Sequence, residues 1–433
     1  MADLTKFDMF IDGAFVQASD GATFQSYDPS TGVPWAEIPA ATADDVERAV
    51  AAAKRALDGP WGQMTPTQRG KALAKLGDAL ASHSEEIGQI ETRDTGKLFK
   101  ETRWQCTYIA EYLHYFAGAA DKLHGDTLPI DKPDMFVFTE REPLGVIAAI
   151  IPWNSQMFLS ATKIGPALAT GNTIILKASE QASAPLLAFA KLVKEAGIPD
   201  GVINIISGFA DPCGAYLTTH PDVARIAFTG GTASAKHIIR NSAENFAQTS
   251  LELGGKSPFI VFDDAALDSA VNGCVAGIFG ASGQSCVAGS RLYLHEAIAD
   301  EFLAKLTQIA AGITLGDPMK ERSEMGPLCT MAQIKLIEQQ IEGAIAAGAT
   351  LRSGGKRVAS ETGYYFEPTI LECPRQDMDI VQTELFGPVL CVQRFTSEEE
   401  VLSLANDSVY GLAAGIFTSN ATRALRMSKA IKA

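Results

Sequence analysis

The chain has 433 residues, a formal net charge of −15, and 46% hydrophobic against 20% charged residues. That length accommodates about two to three domains with a sizeable core, and the composition is that of a globular enzyme. The acidic balance excludes nucleic acid as a partner, since a phosphate backbone requires a basic footprint, and no signal-like start or membrane-length apolar run is present, so no membrane partner and a cytoplasmic location are expected.

The N-terminal arm carries turn signals at Asp12-Gly13, Asp28-Pro29 and Thr31-Gly32. Thr42, with Asp45 three residues on, opens a helix in the manner of a capping box. Val46, Ala49, Val50, Ala53 and Leu57 form its buried face, and Gly59-Pro60 stops it. Thr65-Pro66 starts a second helix and Ser84 a third that runs to Asp94. A longer aromatic helix follows, with Trp104, Tyr108, Tyr112 and Tyr115 or Phe116 at helical spacing; such a stripe reads as core first and as a channel lining second. His124 to Glu142 is punctuated by Gly125, Pro129 and Pro133 and contains the alternating run MFVFTERE, which predicts a hairpin in need of a partner sheet.

From Val146 the pattern becomes β-α-β. Short apolar runs at Val146 to Ile151, Thr173 to Leu176, Val202 to Ile206 and Arg225 to Phe228 alternate with helical stretches, implying a parallel sheet covered on both faces. Each run ends in polar or glycine residues, at the strand ends where open α/β sheets bind ligands. No Gly-x-Gly triplet occurs anywhere, so an ordinary Rossmann phosphate turn is excluded. What remains is FTGGTASA, in which Thr232 would cap a helix whose N-terminus attracts phosphate, or a strand-to-helix turn with a structural purpose only.

A second α/β unit is read from Glu252 onward, with strands at Pro258 to Phe262, Arg291 to Leu294, around Ile370, Val389 to Val392 and Ala413 to Phe417. Within it, Leu267, Val271, Val275, Ile278 and Phe279 form a helix ending at Gly280 and Gly283, so Cys286 in SGQSCVAG is placed on a loop carried by a rigid element. An isolated cysteine is ordinarily a small buried hydrophobe, and the neighbouring motifs must argue otherwise. The seven cysteines lack a CxxC pair and fit reduced thiols better than disulfides or a zinc site; no metal is expected. The sequence stops inside the helical pattern RALRMSKAIKA.

Six strings stand in order: IPWN at Ile151 to Asn154, KASE at Lys177 to Glu180, FTGGT at Phe228 to Thr232, LELGGK at Leu251 to Lys256, GQSC at Gly283 to Cys286, and ELFGP at Glu384 to Pro388. Together they resemble the NAD(P)-dependent aldehyde dehydrogenase superfamily, from about Phe10 to the last residue. The resemblance implies two doubly wound parallel-sheet α/β domains with a β-hairpin oligomerisation arm: an NAD-binding domain at 1–121 and 143–251, the hairpin at 122–142, and a catalytic domain at 252–433 with its C-terminal end missing. It also implies a small-molecule aldehyde substrate and a homodimer or homotetramer, weakened if the end is absent.

In this reading thiolate addition at Cys286 forms a thiohemiacetal, the Asn154 amide and the Cys286 backbone N–H steady its oxyanion, and Glu252 is the base for thioester hydrolysis. The resemblance assigns the adenine ribose to Lys177 and Glu180, the pyrophosphate region to Gly230 and Gly231, and the nicotinamide ribose to Glu384 beside Phe386. It adds Ile151, Pro152, Trp153, Gly214, Phe228, Thr229 and Leu253 to the cofactor set. Glu180 favours NAD over NADP, because a carboxylate accepts from ribose hydroxyls and repels a 2′-phosphate. Departures from the family pattern are Ala235 where glycine is common, Ser155 and Gln156 where an aromatic and a proline are common, and the missing end, which is expected to make the chain a poor catalyst and a lower or aggregating oligomer. The alternatives are a non-catalytic NAD-binding relative and a CoA-acylating semialdehyde dehydrogenase, a branch that usually lacks a glutamate at the Glu252 position.

Overall fold

Three runs of consecutive buried residues, Val146–Ile150 (VIAAI, with only Ile150 half-buried), Thr173–Lys177 (TIILK) and Ile203–Ile206 (INII), mark the middle of the first sheet. Strands covered on both faces need apolar side chains at successive positions, not at alternate ones, which is why these segments do not alternate. A computed structural model describes residues 4–358 and 362–433 of the chain. It resolves two compact units, Met1–Tyr27 with Pro34–Asp94 and Thr102–Glu252, and Asp28–Val33 with Thr95–Glu101 and Leu253–Ala433.

The sheet of the first unit contains β1 (Met9–Ile11), β2 (Ala14–Val16), β3 (Val146–Ile150), β4 (Thr173–Lys177), β5 (Ile203–Ile206), β6 (Val223–Thr229) and β7 (Gln248–Glu252), in the order β7-β6-β3-β4-β5-β1-β2. The first five in that order are parallel, and β1 and β2 close the edge antiparallel. The second unit has β8 (Pro258–Val261), β9 (Arg291–His295), β10 (Thr350–Ser353), β11 (Thr369–Glu372), β12 (Val389–Phe395) and β13 (Gly415–Phe417), ordered β10-β11-β12-β9-β8-β13 and parallel except for β10. Both units therefore have the doubly wound α/β plan, with antiparallel strands confined to an edge.

The helices form where the local signals place them. Helices α1 (Ala43–Asp58) and α2 (Pro66–Ser82) open on full capping boxes, Thr42 with Asp45 and Thr65 with Gln68. Each box satisfies two otherwise orphaned backbone donors. Helix α3 (Ser84–Thr95) brings Asp94 into the interior of its unit. There the carboxylate accepts from Ser26, from Trp35 Nε1 at 3.0 Å and from the Ala184 N–H at 2.9 Å, at the start of α6 (Ala184–Glu195). Burial outweighs these donors and lifts Asp94 to about 7.

Helix α4 (Phe99–Ala119) corrects one expectation. Its buried face is Thr102, Cys106, Ile109, Ala110 and Leu113, while Trp104 and Tyr115 are 61% and 70% exposed. The aromatic stripe is core only in part: Tyr112 and Phe116 are half-buried against the core of their unit, while Trp104, Tyr108 and Tyr115 are exposed because smaller side chains occupy the inward face. The hairpin is short, Thr127–Leu128 against Val137–Phe138, and Phe136 and Phe138 are exposed. A second difference concerns β7, which belongs to the first sheet: Glu252 is the last residue of that unit and does not open the second. Among the described residues no helix is long and apolar enough to cross a membrane.

Candidate active site

In the first unit the motif residues gather at the carboxyl ends of neighbouring parallel strands. Ile151 follows β3 and donates its N–H to the carbonyl of Lys177, the last residue of β4, at 3.0 Å. Lys177 is buried, and its Nζ lies 3.2 Å from Glu180 Oε2. Phe228 and Thr229 end β6; Gly230 N–H then donates to the Glu252 carbonyl at 3.0 Å, and Thr229 stands opposite Glu252 in the β6–β7 register. Ile151 to Asn154, Lys177 to Glu180, Phe228 to Gly231 and Glu252 thus share the edge of the sheet at which such folds hold ligands. Pro152, Trp153 and Asn154 are half-buried, as is Gly214, in the turn Ala210–Gly214 that follows β5.

Helix α7 (Thr232–Asn245) begins one residue earlier than its sequence suggested. Gly231 occupies the N-cap position, no side-chain cap bond forms, and Thr232 is already inside the first turn. Ala235 N–H closes that turn on the Gly231 carbonyl at 3.1 Å, and its methyl is buried.

Two polar side chains on α5 (Gln156–Ala169) are buried; the sequence marks Gln156 as a departure from the family pattern but does not single out Lys163. Lys163 Nζ donates to Thr229 Oγ1 at 2.6 Å; burial pulls this lysine down to about 8, while the charge of Glu252 opposes the shift. Gln156 is wholly buried, with neither end of its amide hydrogen-bonded. The signal for Lys163 was present in QMFLSATKIGPALA, where a lone cation interrupts an otherwise apolar helix.

In the second unit, α8 (Leu267–Phe279) ends as expected and its chain turns sharply through Ala281 and Ser282, at φ 49° and 56°. Such left-handed angles are costly for residues with a Cβ, and surrounding bonds hold them. Ser282 Oγ donates to the Gly326 carbonyl at 2.8 Å, and Gln284 Oε1 accepts from Cys329 N–H at 2.8 Å. The loop so fixed carries Cys286, which is half-buried while the other six cysteines are buried.

The glycines of LELGGK have steric reasons. A methyl group on Gly254 would lie 2.0 Å from the Glu384 carboxylate, and one on Gly255 would lie 2.5 Å from the Cys286 carbonyl oxygen. Gly255 N–H donates to Glu384 Oε1 at 3.1 Å. Burial raises Glu384 above the usual carboxylate range, against the pull of this donor and of Lys256. Leu253 is half-buried at the start of this turn, and Phe386 adopts φ 53° just beyond Glu384. A small pocket is lined by Gly255, Gly283, Ser285, Glu384 and Phe386 among others.

A doubly wound α/β chain with a loop thiol, strand-end carboxylates and a helix entered through two glycines has the parts of a nucleotide-dependent oxidoreductase. The family model described as "Aldehyde dehydrogenase family" matches residues 15–433. A dehydrogenase of (Z)-2-((N-methylformamido)methylene)-5-hydroxybutyrolactone from Acinetobacter baylyi is 53% identical over 99% of this chain and 88% of its own length. An aldehyde dehydrogenase from Aspergillus niger is 42% identical over 98% of this chain and 85% of its own. The NAD+ complex of an aldehyde dehydrogenase from Bacillus cereus superposes with a TM-score of 0.97 at 42% identity, covering 99% of this chain and 87% of that one. The chain belongs to the aldehyde dehydrogenase family.

Proposed function

We propose that Cys286, Glu252 and Asn154 carry the reaction of this family member, the oxidation of an aldehyde to its carboxylic acid with NAD. The observation that supports the reading most directly is Cys286, the one thiol of seven left accessible, on a loop pinned by Ser282 and Gln284. Its sulfur adds to the carbonyl carbon, and the carbonyl oxygen gains the negative charge. The Asn154 amide and the Cys286 N–H donate to that oxygen. NAD, held by the residues named below, would supply the hydride acceptor for that carbon, whose oxidation to the acyl level leaves a thioester on Cys286. Glu252, exposed at the end of β7, takes a proton from the water that attacks this thioester; the carbon–sulfur bond breaks, and acid and thiol are released.

The residues present suit that cofactor. Glu384 sits in a cradle which a Cβ at Gly254 would fill, and it accepts from Gly255; this carboxylate holds the nicotinamide ribose, with Phe386 beside it. Lys177 and Glu180, already paired, take the adenine ribose, and the α7 entrance at Gly230 and Gly231 takes the pyrophosphate. Ile151, Pro152, Trp153, Gly214, Phe228, Thr229 and Leu253 complete the surroundings. The cofactor domain is read as residues 1–121 and 143–251, closed by Glu252 at the end of β7, the catalytic domain as the residues that follow, and 122–142 as an arm whose exposed Phe136 and Phe138 meet another copy of the chain in a cytoplasmic homo-oligomer.

Ring opening of a 5-hydroxybutyrolactone exposes an aldehyde that carries a carboxylate. Hydroxylactones of that type are therefore the first substrates to assay. Cys286→Ala should lose NADH production at 340 nm by at least about a thousandfold, as removal of a covalent nucleophile does. Its NAD binding should stay within a factor of about 2, because the thiol supplies no affinity. Turnover retained by the variant would contradict the assignment.

A further inference from the structure

Helix α6 starts without a cap of its own. Ser183 occupies the N-cap position, yet its hydroxyl donates to the Ser179 carbonyl at 2.6 Å and no side-chain cap bond forms. Pro185 has no N–H, so the donor of Ala184 heads the helix, and a buried donor left unmet is costly. Asp94 meets it from α3, 90 residues away in the chain. Its Oδ2 accepts from Ala184 N–H at 2.9 Å, while Oδ1 accepts from the Ser26 hydroxyl and from Trp35 Nε1 at 3.0 Å. Asp94, Ser26, Trp35 and Ala184 are all buried. The turn that ends at this anchor carries Glu180. Its other end is tied to the sheet, where Ala178 N–H donates to the Ile206 carbonyl at 2.9 Å. Between the two ends Ser179 and Ala182 pair as an antiparallel bridge, and Ser179 Oγ accepts from Gln181 N–H at 3.3 Å. Ser179, Ala182 and Ser183 are buried, so Glu180 and Gln181 at the tip are what the turn presents outward.

We propose that Asp94 is a positioning residue for cofactor binding: as a remote cap on α6 it fixes the 179–183 turn and so sets where Glu180 stands relative to Lys177. The inference rests on the reading that Lys177 and Glu180 take the adenine ribose. A carboxylate suits the task because these three donors converge on two oxygens that only accept. Asparagine has the same shape but must turn its NH2 toward one side, donor against donor. The anchor and the turn are joined without slack. Ala184 follows Ser183 directly, Ser183 is bonded through its hydroxyl to Ser179, and Ser179 adjoins Glu180. A displacement of the Ala184 N–H therefore passes to the residue beside the ribose ligand, while the sheet end of the turn stays held by Ile206.

The test uses the full chain with Asp94→Asn, Ser26→Ala, Glu180→Gln and the Asp94→Asn/Glu180→Gln double variant. Assays run at pH 8, where the Asp94 carboxyl, lifted to about 7 by burial, is ionised in the parent. KM for NAD and kcat are read from NADH production, and mass spectrometry follows hydrogen exchange over residues 178–187. Asp94→Asn should raise KM for NAD about tenfold, keep kcat within a factor of about 2, and speed exchange in that segment. Its effect on KM should fall below about twofold once Glu180 is Gln, because the two residues act through one turn. Lowered stability alone would reduce the active fraction and leave KM in place. If Glu180→Gln leaves KM for NAD and the NADP-to-NAD preference unchanged, the ribose reading fails and this proposal with it. If Glu180→Gln changes them but Asp94→Asn leaves KM unaltered, or raises it equally in both backgrounds, the proposal alone is overturned. Should Asp94→Asn fail to fold, Ser26→Ala decides, since it keeps the carboxylate and removes a donor that turns its other oxygen toward Ala184. A rise of about threefold in KM for NAD with kcat kept supports the proposal, and an unchanged KM overturns it.

Discussion

Glu180 lies 3.2 Å from Lys177 Nζ at the carboxyl end of β4, so its carboxylate is steered by a buried cation. In that place it can accept from ribose hydroxyls but would repel a 2′-phosphate. Glu180→Gln should therefore shift the NADP-to-NAD ratio of kcat/KM toward NADP by about 1 to 2 kcal/mol, the size of other local charge effects. An unchanged ratio would show that the side chain faces elsewhere in the complex. Lys163 permits a prediction about stability. Its folded value of about 8 lies below the ordinary 10.5, so between those pH values the unfolded chain binds the extra proton and stability rises with pH. The parent should gain on the order of 3 kcal/mol over that window relative to Lys163→Met, as read from urea midpoints. Parallel pH profiles for the two proteins would contradict the burial argument.

At the scale of elements, the site depends on two turns with little tolerance for an added carbon. Gly255→Ala must displace either its own backbone or the Cys286 carbonyl 2.5 Å away. We expect kcat to fall about a hundredfold, as a misplacement of about 1 Å at a reacting group does, with Cys286 alkylation altered and global stability lowered by about 1 to 3 kcal/mol. Unaltered kinetics would mean that the turn is not tied to the thiol loop. These turns were legible in the sequence as LELGGK and GQSC, and the parallel strands as buried apolar runs, because glycine pairs and unbroken Val/Ile stretches have few other uses. Strand β7, QTSLE, was not legible: it is an edge strand whose residues are half-buried or exposed, so neither alternation nor an apolar run marks it. The N-cap at Gly231 was missed because threonine and glycine are about equally favoured at that position, and only threonine carries a side-chain oxygen that announces a cap. The inward face of α4 was missed because large aromatics outweigh small residues in any reading of periodicity, although Cys106, Ile109 and Leu113 are the ones buried.

For the molecule as a whole, the doubly wound plan with antiparallel strands at the edges followed from the alternation of strand and helix patterns. The composition of the two units followed less well. Segments Asp28–Val33 and Thr95–Glu101 belong to the second unit although the chain around them belongs to the first, and stretches so short carry no periodicity to announce it. In the proposed mechanism covalent addition at Cys286 is followed by hydrolysis assisted by Glu252, and one rapid-mixing experiment separates the two steps. Glu252→Gln, mixed with NAD and a substrate aldehyde, should release about one equivalent of NADH per chain in a burst, followed by turnover slowed about a hundredfold or more. Quenched samples should carry the acyl mass on the peptide containing Cys286. A variant that shows no burst and no acyl adduct, with addition and turnover slowed alike, would contradict Glu252 as the hydrolytic base and make it the activator of the thiol.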